Sequence, residues 1–178
     1  MKTYTKNGID IELVQGDIAS QDDIEAVVNA ANAQLRTGGG VAGAIHRGAG
    51  PGLTEETRQY APIEPGEAVV TGGHNLPNAY VIHCLGPRWE IDTPEEELLR
   101  RCYRRALELA EENGIASVGF PALSTGAFGY PIEQATEAAV DEVLAGLEGL
   151  ESVGRIRFVV FSDEDLAVYR GVLDGRLG

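Results

Sequence analysis

A chain of 178 residues can bury one sizeable core, and 43% hydrophobic with 24% charged residues is a globular composition, neither disordered nor fibrous. The 28 Asp and Glu against 14 Lys and Arg leave a formal net charge of -14. A field of that sign repels nucleic acid and anionic membranes, and no stretch approaches the roughly 20 apolar residues of a membrane span, so neither partner is expected.

Met1 to Lys6 carries two lysines with no apolar run behind them, so no signal peptide is indicated and a cytoplasmic location is expected. Ile9 to Val14 alternates with period two and predicts a half-buried strand. Continuous apolar runs at 26–31, 68–71, 80–85, 117–121 and 156–161 predict strands covered on both faces. Between them, Thr93-Pro94-Glu95-Glu96 predicts a helix start with Thr93 as N-cap, Pro94 at N1 and Glu96 closing a capping box. Leu98, Leu99, Cys102, Tyr103, Ala106, Leu107 and Ala110 form its apolar face, and Gly114 ends it. A second helix is predicted over 131–147, and a third from Ser162, burying Leu166, Tyr169 and Val172. Strands alternating with helices predict a single three-layer α/β/α domain over 1–178 with a mainly parallel sheet. Cys84 and Cys102 fall in a core strand and on a helix's apolar face, so both are expected as buried free thiols. There is no Cys-x-x-Cys and no His pair at helical spacing, so no metal site is expected.

In sheets of this kind ligands sit beyond the carboxyl ends of the strands. Gly16-Asp17-Ile18 follows the first strand, where Asp17 also suits a helix N-cap. Asn29-Ala30-Ala31-Asn32 places two amides at the end of the second, and each would need several partners if buried. Gly38-Gly39-Gly40-Val41-Ala42-Gly43 follows, and three successive glycines are an entropic cost that packing does not explain. Glycines leading into a helix N-terminus allow the close approach that a diphosphate requires. Ser124-Thr125-Gly126-Ala127-Phe128-Gly129 repeats the device at another strand-to-helix loop. Two such loops would grip a diphosphate through backbone amides without a Lys or Arg clamp. The first also matches G-x-G-x-x-G, but its strand ends near Asn32, and the candidate acid, Glu64, sits in the turn Pro62-Ile63-Glu64-Pro65. A dinucleotide-binding dehydrogenase is therefore a poor fit.

Together with Gly66 to Thr71, His83-Cys84-Leu85-Gly86-Pro87, Phe120 to Gly126 and Phe161-Ser162-Asp163, these segments resemble the macrodomain family along almost the whole chain. The motif Gly-Gly-Gly-Val-Ala is closest to archaeal and viral members. The resemblance implies ADP-ribose, or an ADP-ribosylated protein or metabolite, as partner, with no cofactor. It implies that Asp17 accepts from the adenine amino group, Ile18 lines that pocket and Phe161 packs on the base. Gly39, Gly40, Val41 and the loop Ser124, Thr125, Gly126, Ala127 and Phe128 would hold the diphosphate and distal ribose. Asn32 would hold the distal ribose near C1″, and Asn29 would brace the loop. Asn32, Gly40 and Phe128 are the implied catalytic positions.

Many hydrolytic relatives carry an Asp where this chain has Ala42. A hydrolase acting on mono-ADP-ribosylated acidic side chains or O-acetyl-ADP-ribose is expected, using a water held by the ligand's own diphosphate. Ala42 keeps a non-catalytic ADP-ribose reader open beside it. His46 is the one nearby group able to move protons at neutral pH, although a helix residue facing away from the cleft is the better reading of it. A monomer is expected. The acidity suits a high-salt environment or solubility alone, and the residues leave both open.

Overall fold

The computed structural model describes all 178 residues. Seven strands, β1 (Lys2–Lys6), β2 (Ile9–Gln15), β3 (Ala26–Ala30), β4 (Ala68–Gly72), β5 (Tyr80–Cys84), β6 (Ser117–Phe120) and β7 (Arg155–Val160), form one sheet. Five helices, α1 (Gly40–Ala49), α2 (Pro51–Thr57), α3 (Glu95–Glu112), α4 (Ile132–Gly146) and α5 (Asp163–Leu177), cover it. The strand order is β1-β2-β7-β6-β3-β5-β4. The pairs β2–β7, β7–β6, β6–β3 and β3–β5 are parallel, and only the edge pairs β1–β2 and β4–β5 are antiparallel.

The strands alternate between two cores. Val27, Val81 and Val159 pack with Ile45, Ala49 and Leu53 of α1 and α2. Their neighbours Val28, Ile82, Phe158 and Val160 pack with Leu99, Tyr103, Val140, Val143, Tyr169 and Leu173 of α3, α4 and α5. Successive side chains point to opposite faces of a strand, so a strand covered on both sides must be apolar at every position. This is the expected three-layer α/β/α arrangement. Within the larger core the Cys84 Sγ donates to the Cys102 carbonyl and the Cys102 Sγ to that of Leu85, and both thiols are buried and free.

Four details differ from the sequence reading. The edge strand β1 was not anticipated, because only Tyr4 of its five residues is buried and the rest read as a polar terminus. The short helix α2 was passed over as well: it follows Gly50, whose φ of 82° breaks the chain direction after α1. Helix α3 begins at Glu95 with Pro94 as N-cap, so Thr93 is not the cap and no capping box forms. Three glutamates in its first turn complement the positive end of the helix dipole instead. In α5, Ser162 does cap the helix, accepting from Asp165 N at 3.1 Å, but the fully buried pair is Tyr169 and Leu173, with Leu166 and Val172 only half-buried.

Away from the strand ends, Arg157 is buried with its guanidinium fully engaged. It donates to Glu12 Oε1 at 2.9 Å, to Gln21 Oε1 at 2.9 Å and to Asp23 Oδ2 at 2.6 Å. The Arg157 contact holds the Asp23 carboxyl well below the usual carboxylate range, with Arg155 assisting.

Candidate functional site

The carboxyl ends of β2, β7, β6 and β3 open side by side, and a cleft runs across them. One half, about 550 Å³, is lined by Gly16, Asp17 and Ile18 after β2, Phe161 after β7, Thr125 and Gly126 after β6, and Gly40, Val41, Ala44 and Arg47 of α1. The other half, about 350 Å³, is lined by Asn32 and Ala31 after β3, Gly38 to Ala42, Gly86 after β5, and Leu123, Ser124, Gly126, Ala127 and Phe128. Gly40, Val41, Ala122 and Gly126 belong to both, so the halves are continuous across the two glycine-rich loops. All residues expected at the site therefore lie along one cleft. A separate hollow of about 550 Å³ at the β1 edge, between Lys2, Gln15 and Arg170, contains none of them.

The loops present unsatisfied donors. Gly39 is the N-cap of α1 and makes no side-chain cap, and the first turn of α1 holds no acidic residue. Its leading amides are therefore without partners, as at any helix start. Gly40 has a φ of 55°, open to glycine at little cost, and a Cβ at Gly39 or Gly40 would meet nothing within 4 Å. Packing thus does not require these glycines, and the empty side faces the cleft. In the second loop Tyr130 N donates to Ser124 O, Gly129 N to Gly126 O, and Thr125 Oγ1 to Ala122 O. The amides of Ser124 to Phe128 find no acceptor in the chain. Two runs of unpartnered N–H groups lining one cleft, one at the positive end of a helix, are suited to an anion.

Individual side chains refine this picture. Asp17 does both things considered for it: its Oδ1 accepts from Ala19 N at 2.8 Å, and the residue lines the wider half. Phe161 stands just beyond β7 and is 86% exposed, so it is not a buried strand residue. Asn32 is already engaged, since its Nδ2 donates to Arg36 O at 2.8 Å and its Oδ1 accepts from Arg36 N at 3.0 Å. An amide has two donors and two lone pairs, so one of each remains. Ser124 is buried with a φ of 66°, and its Oγ has no partner. That hydroxyl occupies the space over Gly86 where a Cβ would otherwise stand. Ala42 is buried and lines the narrower half with no carboxylate near it.

Asn29 does not reach the cleft. Its Nδ2 donates to His83 Nδ1 at 3.1 Å, which leaves His83 Nε2 to donate to Thr71 Oγ1 at 2.9 Å and Thr71 to donate to Gly72 O. The chain of bonds selects one neutral tautomer. Burial pushes the His83 pKa down to about 3, with nearby His46 adding to the shift. His46 is a buried residue of α1, its Nδ1 3.2 Å from Thr54 Oγ1 of α2, and is not among the residues lining the cleft. Burial lowers its pKa too. No group of three or more His, Cys, Asp or Glu is arranged to hold a metal ion. Arg47 and Asp165 line the cleft although no motif marks them: Arg47 lies one turn beyond Gly43 in α1, and Asp165 lies in the first turn of α5 just past Phe161-Ser162-Asp163.

A mixed, mainly parallel α/β sheet with paired glycine-rich loops over its strand ends is the architecture of a macrodomain. The Macro domain family model matches residues 28–139, and the chain belongs to that family. It is 44% identical over 164 residues to a Macro domain-containing protein of Chlorobaculum tepidum, covering 92% of this chain and 95% of the relative. It is 43% identical over 167 residues to the O-acetyl-ADP-ribose deacetylase of Klebsiella pneumoniae, covering 91% and 95%. Human ADP-ribose glycohydrolase MACROD2 shares 43% identity over 163 residues, covering 90% of this chain and 38% of that longer protein. Among solved structures, a mutant Oceanobacillus iheyensis macrodomain with ADPR superposes with a TM-score of 0.93 at 36% identity, covering 98% of this chain and 97% of that one.

Proposed function

We infer that this protein binds ADP-ribose in the cleft and releases it by hydrolysis from acidic side chains or from O-acetyl-ADP-ribose. The observation that carries the reading is the pair of unpartnered amide runs at the middle of a cleft long enough for a nucleoside diphosphate sugar. Relatives named as a deacetylase of O-acetyl-ADP-ribose and as an ADP-ribose glycohydrolase support the reaction type.

In this reading the adenosine takes the wider half, with Asp17 and Ile18 at the base and Phe161 against its face. The diphosphate lies between Gly39 to Val41 and Ser124 to Phe128, and the distal ribose enters the narrower half. There the spare donor of Asn32 holds a ribose hydroxyl, and Phe128 closes the side. With alanine at position 42, no protein carboxylate deprotonates the attacking water. A water on the diphosphate gives its proton to a phosphate oxygen and forms a bond to C1″. The bond from C1″ to the ester oxygen breaks, and the carboxylate leaves with the electron pair. For the acetylated metabolite the same water gives its proton to the phosphate and bonds to the acyl carbon. The bond from that carbon to the ribose oxygen breaks, and the ribose oxygen leaves with the electron pair and takes the proton back, releasing acetate. Preorganised amides stabilise the charge that develops.

The test is one incubation with a target mono-ADP-ribosylated on glutamate. Free ADP-ribose should accumulate, and Asn32→Ala should slow its release by at least about tenfold, with an unchanged melting temperature. Retention of the modified target by the protein without release would make it a reader, the function that Ala42 favours. A protein that shows no release and no retention would refute the ligand assignment.

A further inference from the structure

We propose that Arg47 is the cation that holds the ligand's diphosphate, a positioning residue reaching the phosphate loop from the third turn of α1. The inference rests on the ADP-ribose reading above.

Arg47 is the one Lys or Arg among all residues lining the cleft. It forms no ion pair, although Asp17 and Asp165 line the same half. Many arginines elsewhere are committed, Arg88 to Asp92, Arg104 to Glu142, Arg155 and Arg157 to Asp23, and Arg176 to Asp141, whereas Arg36, Arg58 and Arg170 form no ion pair but do not line the cleft. Arg47 is thus the unpaired guanidinium that the fold places in the cleft, in the same half as two carboxylates.

Its direction is set by a second, independent feature. A helical side chain leans back over the preceding turn, so Arg47 lies over Gly43. A Cβ at Gly43 would stand 3.0 Å from Arg47 Nη1 and 2.5 Å from the Gly38 carbonyl oxygen. The absent side chain at Gly43 thus lets the guanidinium lie flat along the helix, next to the Gly38 to Gly40 loop. There it adds a full positive charge to the partial charge of the helix start. A diphosphate gripped by amides alone would otherwise be brought into an acidic protein with nothing to offset its two charges. The amides set the position of the phosphates, and Arg47 offsets the field around them.

Binding of ADP-ribose and of adenosine would be measured for the wild-type protein, Arg47→Gln and Arg47→Lys, at low and high salt. Arg47→Gln should weaken ADP-ribose about five- to tenfold at low salt, the range between an exposed ion pair and a charge-assisted hydrogen bond. The loss should shrink at high salt, where screening already removes part of the attraction. Arg47→Lys should keep most of the affinity, and adenosine, which carries no phosphate, should bind all three proteins alike. A wild-type protein that binds ADP-ribose while Arg47→Gln matches it within twofold overturns the inference and leaves the function standing. So does an equal loss for adenosine, which would place the guanidinium on the nucleoside, or an Arg47→Lys protein as weak as Arg47→Gln. A wild-type protein that does not bind ADP-ribose overturns the function itself.

Discussion

Ala42 is the residue at which the chemistry of this site is most open to change. It is 5% exposed, sits on the third residue of α1 and lines the half of the cleft assigned to the distal ribose. A carboxylate there would stand at the start of a helix, where the dipole favours its charged form, and beside the water that the diphosphate is proposed to hold. A positioned general base contributes about 10²–10⁴ in rate, and a diphosphate oxygen is a weak base that supplies only part of that. Ala42→Asp is therefore expected to raise the turnover number at least about tenfold on the glutamate-linked substrate, with little change in ADP-ribose affinity. Single-turnover kinetics would check it. An Ala42→Asp protein no faster than wild type would mean that proton transfer to the phosphate does not limit the rate. Asn32 shows the opposite situation: its amide already holds the turn at Arg36, so its spare hydrogen-bonding capacity has a fixed direction before any ligand arrives.

At the scale of elements, the second loop depends on a fit between two strand ends. Ser124 adopts a left-handed backbone, uncommon for a residue with a side chain, and its hydroxyl fills the space over Gly86. Gly86→Ala would force that hydroxyl and the loop behind it to move. The expected cost is about 1–3 kcal/mol, as for other overpacked sites, or roughly 2–4 °C of melting temperature per kcal/mol in a chain of this size. ADP-ribose binding should weaken with it. Adding Ser124→Gly removes the clashing hydroxyl and the strained backbone together, so the double variant should recover most of the lost stability. A double variant no more stable than Gly86→Ala would place the strain elsewhere. Neither residue's part in this contact was legible in the sequence, because it joins positions 38 residues apart through a side chain that is absent. What was legible had a local signal: alternating and continuous apolar runs marked β2, β3, β4, β5, β6 and β7, and the glycines of both loops marked the cleft. Where the local signal misled, the surroundings prevailed. Thr93-Pro94-Glu95-Glu96 has the letters of a capping box, yet the helix starts after Pro94. Lys2 to Lys6 looks like a polar tail, yet pairing with β2 makes it a strand, with Lys2 and Tyr4 both bonded to Asp174 of α5. Arg47 carried no motif at all; its interest comes only from what surrounds it in space.

At the scale of the whole molecule, two buried histidines and an ion-paired aspartate set how the fold responds to acid. The net charge of -14 changes little from neutrality down to about pH 5.5, since unperturbed carboxylates titrate near pH 4. Across that window the histidines dominate. His83 is buried between Asn29 and Thr71 with its folded pKa pushed down to about 3, and burial also lowers that of His46. The unfolded chain takes up protons at these side chains near pH 6.5, whereas the folded chain does not. The unfolded state therefore binds more protons as pH falls, and stability must fall with it. For His83 alone the loss between about pH 7.5 and pH 5.5 is on the order of 1.4 kcal/mol. Further down, Asp23 adds a second loss of the same sign. Its folded pKa is depressed by Arg157, so its contribution is present above the usual carboxylate range and disappears as pH drops through and below it. Urea unfolding at the two upper pH values should show the first loss, and His83→Gln, although less stable at neutral pH, should lose correspondingly less between them. A wild-type protein equally stable at both values would mean that His83 takes up its proton in the folded state at an ordinary pH. The hydrogen-bond chain from Asn29 to Thr71 would then have to open at a cost too small to register.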